Sequence, residues 1–206
     1  GVRPLLTKYR EALVMNVDEV IKKYVSEQRD TYKLLSEKTK EFLLSILHSK
    51  SIVPHSITSR EKGPEELREK IIREGGAPDA LFNGINDLAG VRIIAYFPSD
   101  VDNIVPLIEK EFKIDSKHSM DKRLSSDPSI LGYASVHFVV EFRPEMIKLP
   151  EYAPFDKMKC EIQVRTILQH AWAEIEHDLG YKSEHAVPRK ARRTFSRLSG
   201  PLRNGR

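Results

Sequence analysis

Cysteine is nearly absent from this chain. Cys160 is the single copy in 206 residues, which excludes a disulfide framework and any zinc site built on several thiolates. A reducing, cytoplasmic setting is the expectation. Long hydrophobic runs are missing too: stretches such as Val91 to Phe97 fall far short of the roughly 18–20 residues of a membrane span. No secretory-leader pattern opens the chain, and no membrane role is expected. Gly1 stands where a methionine would, so the native start is expected to be lost. There is no Gly-x-x-x-x-Gly-Lys-Ser/Thr loop, no Gly-x-Gly-x-x-Gly turn and no Gly-x-Ser-x-Gly elbow. If the protein handles ATP, it does so without a P-loop or a dinucleotide-binding turn. Internal repeats and low-complexity segments are also lacking.

What is present is charge. Lys and Arg number 34 against 30 Asp and Glu, and the charged fraction of 31% exceeds the usual ~25%. With 40% apolar residues the chain reads as globular. Its length suits one domain with a helical extension, divided here as 1–50, 51–185 and a basic tail over 186–206 that reads as cut short. From Lys182 to Arg206 the cations face one carboxylate, Glu184; such a tail suits a polyanion or a solvated helix face equally.

Residues 5–50 hold no Gly or Pro, and their apolar residues recur at helical spacing: Val17, Val20, Ile21, Tyr24 and Val25, then Leu34, Leu35, Phe42, Leu43 and Ile46. One long or two shorter amphipathic helices are predicted. Ser51 to Arg60 reads as extended. Pro64 then opens a charged helix to about Arg73, closed by Gly75, Gly76 and Pro78. Val91–Phe97 is a buried-strand run, followed by a helix over 101–111 and a polar loop from Ser116 to Gly132. Val136–Phe142 and Lys159–Val164 are further strands, and Ile167–Leu179 returns to helix. This order predicts an α+β domain with a mostly antiparallel or mixed sheet.

Strand alternation places the candidate chemistry. Glu161, Gln163 and Arg165 share one face of their strand, and Tyr133, Ser135 and His137 share one face of another. A ring, a hydroxyl and an imidazole in line suit a base and its sugar or phosphate. Asp87 precedes the Val91 strand and Arg92 lies just inside it; Asp87 and Glu161 together suit one Mg²⁺, which takes one or two carboxylates plus phosphates. Arg60, Lys62 and Lys70 supply cations for a polyphosphate. Each segment alone is also what a half-solvated sheet or helix start would show. Glu174-x-x-His177 lacks the second copy a carboxylate-bridged metal site needs, His170 and His177 are assigned to helix packing or to supporting the residues of a site from behind, and Cys160 to the core.

Arg60-x-Lys62, Asp87-Leu-Ala-Gly-Val-Arg92, Gly132-Tyr133-x-Ser135-x-His137 and Glu161-Ile-Gln163-Val-Arg165-Thr are followed by Gln169-His170-Ala-Trp172-Ala-Glu174-Ile-Glu-His177. Over residues 50–185 this set resembles the synthetase domain of the RelA/SpoT alarmone synthetases. The resemblance implies a nucleotidyltransferase-like α+β fold: a mixed sheet flanked by helices, here with an N-terminal helical extension. It implies transfer of the β,γ-pyrophosphate of ATP to the ribose 3′-hydroxyl of GDP or GTP, giving guanosine tetra- or pentaphosphate. By motif, Asp87 would hold Mg²⁺, and Glu161 would help with the metal or accept the proton of the 3′-hydroxyl. Arg60 and Arg92 would flank adenine and, with Lys62 and Lys70, balance the triphosphate. Tyr133 would stack on the acceptor base, with His137, Gln163 and Arg165 orienting acceptor and phosphate.

Departures bear on the acceptor. Ser129-Ile130-Leu131 and Ala134 replace the Lys-Pro-Asn-like approach and the basic residue of many guanosine-using members, and Glu66 stands where a Ser is usual. Toxic members that pyrophosphorylate the 3′ end of tRNA share this pattern, and the basic tail suits tRNA; that is the alternative expectation. Whichever acceptor is used, a homo-oligomer or an antitoxin partner is a further expectation. A non-catalytic nucleotide or RNA sensor is the reading from another class. No His-Asp hydrolase motif is found.

Overall fold

The computed structural model describes residues 17–121 and 135–182, with side chains to residue 175. Tyr133, Ala134, Ser129 to Leu131 and the basic tail lie outside the described residues, as does the side chain of His177.

Residues 17–49 are helical throughout, as the absence of Gly and Pro predicts. Residues 17–23 lead through a π-helical turn, Tyr24–Gln28, into α1, Arg29–Ser49. The wider π turn rotates the apolar stripe, so Tyr24 faces inward while Val25 and Leu34, expected on the same stripe, are each 45% exposed.

Six strands follow: β1 (Ser56–Glu61), β2 (Ala89–Ala95), β3 (Phe112–Ile114), β4 (Met120–Asp121), β5 (Val136–Phe142) and β6 (Cys160–Thr166). The helices between and after them are α2 (Pro64–Glu74), α3 (Pro78–Gly84), α4 (Pro98–Glu111), α5 (Pro144–Ile147) and α6 (Ile167–Lys182). The sheet order is β1-β2-β6-β5-β3, with β4 also on β5. β2 and β6 run parallel, and every other pair is antiparallel. This is the predicted α+β architecture with a mixed sheet.

One sheet face is apolar. Val91, Ile93, Phe138, Val140, Ile162 and Val164 pack there with Leu35, Leu43 and Leu47 of α1 and Ile104 and Ile108 of α4. Each such side chain contributes roughly 1.5–3 kcal/mol by leaving water. Cys160 belongs to this core, where burial pushes its thiol up to about 12. A second, smaller core joins Val17, Val20, Ile21 and Tyr24 to Leu67 and Ile71 of α2 and to Ile85 and Leu88. That core supports the loop carrying Asp87.

Two local expectations are corrected. The strand over Val91–Phe97 ends at Ala95, and Tyr96 and Phe97 are 49% and 55% exposed. Asp100 accepts a hydrogen bond from the Phe97 N–H at 3.0 Å, which caps α4 and turns the chain out of the sheet. Pro78 opens a further helix, α3, instead of only closing α2; its ring suits a first helical turn. The break between them uses Gly75 and Gly76, at φ of 65° and 126°. Within the predicted polar loop, Met120 and Asp121 pair with β5. Among the described residues no helix is long and apolar enough to cross a membrane.

Candidate active site

The polar face of the sheet is organised by register. Gly90 of β2 aligns with Arg60 on one side and Glu161 on the other. In the next row Thr58, Arg92, Gln163 and His137 stand side by side across four strands, and Met120 of β4 follows. One step further, Ser56, Ile94 and Arg165 align. Residues scattered over more than a hundred positions thus become neighbours about 5 Å apart.

Hydrogen bonds join this face into a chain. His137 Nδ1 lies 3.1 Å from Glu161 Oε1, and Nε2 lies 2.9 Å from Ser135 Oγ. A carboxylate only accepts, so with a neutral ring Nδ1–H donates to Glu161 and Nε2 accepts from Ser135. Gln163 Nε2 donates to Glu161 Oε2 at 2.8 Å, and Arg165 Nη2 donates to Gln163 Oε1. Burial alone would raise the Glu161 carboxyl, but the hydrogen bonds from His137 and Gln163 outweigh it and hold the group below its ordinary value. Arg165 is drawn down to about 10 by burial and then by the charge of Arg92, and is still cationic at neutral pH.

Asp87 sits in the loop before β2, held between two ammonium groups. Lys62 Nζ is 2.9 Å from Oδ2 and Lys70 Nζ is 3.0 Å from Oδ1. Desolvation pushes the carboxyl up, yet the hydrogen bonds and charges of Lys62 and then Lys70 prevail and lower it. The Lys62 backbone is itself fixed. Its N–H donates to Leu88 O at 2.8 Å, and its carbonyl accepts from the buried Tyr24 hydroxyl at 2.7 Å.

Between Asp87 and Glu161 opens a cleft of about 480 Å³, part of it open to solvent, lined by Thr58, Arg60, Asp87, Gly90, Val91, Arg92, Glu161 and Gln163. Arg60 pairs with Glu66 of α2 at 3.3 Å, and Arg92 pairs with Glu174 of α6 at 3.5 Å. Glu174 also lies 3.5 Å from His170 Nδ1, and Trp172 buries α6 against the sheet. The Nε atoms of Arg92 and Arg165 are buried without a hydrogen-bond partner among the described residues.

Of the predicted residues, Arg60, Asp87, Arg92, Glu161 and Gln163 line the cleft; Lys62 and Lys70 join it through Asp87, and His137 and Arg165 through the hydrogen-bonded chain. Tyr133 lies outside the described residues. Sequence reasoning passed over Thr58, and it named Gly90 and Glu174 within motifs without giving either a place in the site. Thr58 alternates with Arg60 on β1, a period-2 signal that was available; Glu174 reaches Arg92 from a different element, and no local pattern announces that.

The donor set can be tested against Mg²⁺. Among the described residues no group of three or more His, Cys, Asp or Glu could hold a metal. Asp87 and Glu161 line one cleft and are close enough for the Asp87 charge to push the Glu161 carboxyl upward. Two carboxylates fit a hard ion that completes its shell with phosphate oxygens and water.

A family model described as "Region found in RelA / SpoT proteins" matches residues 59–186, a span that holds every residue lining the cleft except Thr58. The chain belongs to the RelA/SpoT family. It is 31% identical over 148 residues to GTP pyrophosphokinase YwaC of Bacillus subtilis, covering 71% of this chain and 67% of the relative. A GTP pyrophosphokinase family protein from Streptococcus pneumoniae superposes with a TM-score of 0.65 at 27% identity, covering 85% of this chain and 87% of that one. Small alarmone synthetase 1 of Bacillus subtilis, bound to its product pppGpp, gives a TM-score of 0.60 at 26% identity over 84% and 88%. Family and relatives make this RelA/SpoT chain a GTP pyrophosphokinase-like enzyme, as the sequence resemblance implied.

Proposed function

We propose that this chain is an Mg²⁺-dependent pyrophosphotransferase that moves the β,γ-pyrophosphate of ATP to the ribose 3′-hydroxyl of GDP or GTP, making guanosine tetra- or pentaphosphate. The observation that carries the reading is the single cleft in which Asp87 and Glu161 stand between Arg60, Arg92 and the Asp87-bound lysines. The relative crystallised with pppGpp supports the choice of a guanosine acceptor.

The reaction requires positioning and charge balance, with no covalent intermediate. The acceptor 3′-oxygen bonds to the β-phosphorus, the bond from that phosphorus to the α,β-bridging oxygen breaks, and AMP leaves with the electron pair. Glu161, kept ionised by His137 and Gln163, accepts the hydroxyl proton. Arg60 and Arg92 rise from adjacent strands and clasp adenine between their guanidinium planes. Lys62 and Lys70 meet the phosphates, while His137, Gln163 and Arg165 orient the acceptor and Tyr133 stacks on its base. Asp87 and Glu161 would hold Mg²⁺, which would supply charge neutralisation at the phosphates.

Incubation with γ-labelled ATP and GDP, GTP, ATP or bulk tRNA side by side tests this. Label in a guanosine product is the expected outcome. Label on tRNA, lost when the terminal adenosine is oxidised, would reassign the acceptor, and no label in any arm would overturn the reading.

A further inference from the structure

Every carboxylate oxygen at the expected metal position is already engaged. Lys62 takes Asp87 Oδ2 and Lys70 takes Oδ1, each from a different element. His137 takes Glu161 Oε1 and Gln163 takes Oε2. The Lys62 side chain is only 8% exposed, so its ammonium is held at Asp87 with little water to screen it. The two ammonium groups offset the charges of Asp87 and Glu161, so the carboxylates of this position carry no net negative charge toward a cation. A bare Mg²⁺, which gives up its water reluctantly, meets no net attraction there and must share every carboxylate oxygen with a donor already in place. A nucleoside triphosphate changes the balance, because its phosphate oxygens offer both lysines alternative anions.

We propose that Lys62 and Lys70 exchange partners, holding Asp87 in the free protein and passing to phosphate when ATP arrives, so that the divalent ion enters with the nucleotide and not before it. This rests on the ATP reading above. It gives the two lysines a second role: they keep the metal position closed until substrate is present.

Mn²⁺ serves as the probe, its free concentration followed by electron paramagnetic resonance with the full chain. The free protein binds it weakly, and affinity rises at least about tenfold (~1.4 kcal/mol) once α,β-methylene ATP is bound. Lys70→Met removes one ammonium and leaves the position with a charge of −1; its free form gains about tenfold in Mn²⁺ affinity, and adding Asp87→Asn abolishes the gain. Lys70→Gln repeats the test with a polar side chain should the methionine variant fold poorly. Calorimetry with the analogue in chelator separates the two readings. No analogue binding, with or without metal, fells the ATP reading and this proposal together. Analogue binding, with Mn²⁺ affinity equal in wild type and both Lys70 variants, overturns the proposal alone.

Discussion

Replacing Gly90 by alanine should make this protein more stable and less active. Gly90 is the second residue of β2, aligned with Arg60 and Glu161, and lines the floor of the cleft. Its φ is not positive, since Gly75 and Gly76 alone among the described glycines have that geometry, so alanine fits the backbone. A Cβ built there meets Glu161 O at 3.8 Å, Arg60 Cγ at 3.9 Å and Arg60 O at 4.0 Å, all ordinary contacts. The substitution therefore strains nothing in the free protein, and by restricting the unfolded chain it should add about 0.4–1 kcal/mol. For a chain of this size that is a rise of roughly 1–4 °C in Tm. The methyl stands about 1.5 Å above the strand, on the surface that ATP must approach. A displacement of about 1 Å in a reacting group costs on the order of 100-fold, so kcat/KM for pyrophosphate transfer should fall by about that factor. Thermal unfolding followed by circular dichroism, with initial rates from labelled ATP, measures both quantities on one preparation. A lower Tm, or an unchanged kcat/KM, would show that Gly90 serves the fold and not the ligand.

Glu161→Gln keeps shape and removes charge, so transfer should drop at least about 100-fold while the circular dichroism spectrum stays that of the wild type; full activity would refute its role. Tyr24→Phe leaves the Lys62 carbonyl without its 2.7 Å donor and should cost about 1–2 kcal/mol in urea unfolding, a prediction that fails if the midpoint does not move. Asp115 accepts from Lys159 at 2.7 Å and pairs with His118 at 2.8 Å, which hold its carboxyl well below the ordinary range. A depressed folded-state pKa adds stability above the unfolded value of about 3.9 and loses it as pH falls toward the folded value. Asp115→Asn should therefore be less stable than wild type at neutral pH, with the gap closing under acid; a gap constant across unfolding curves from about pH 7 to pH 3 would contradict the electrostatic account.

Where local rules govern, the chain was readable. Alternation put Glu161, Gln163 and Arg165 on one side of β6, because a strand has a period of two whatever its neighbours are. The burial of Cys160 followed from the same rule. Reading failed where geometry is set between elements. Tyr96 and Phe97 are as apolar as the strand before them, but the Asp100 cap takes them out of the sheet. The π turn at Tyr24–Gln28 shifted which side of the helix faces inward. Glu66 was visible as a departure from the family motif, and its ion pair with Arg60 appears only once α2 is packed beside β1.

By itself the sequence determined the type of the main helices and strands, the polar face of the strands that carry the site and, through the spacing of its motifs, the family. Those depend on backbone period, turn chemistry and residue order, all properties of one segment at a time. The tertiary structure decided which rows align, with Thr58, Arg92, Gln163 and His137 in one and Arg60, Gly90 and Glu161 in the next. It also decided that Lys62 and Lys70 close on Asp87 from different elements. The physical reason is that strand register and helix docking are chosen by the burial of the opposite, apolar face, where Ile93, Ile162 and Phe138 pack together, and the polar residues are carried into place by a core they do not belong to.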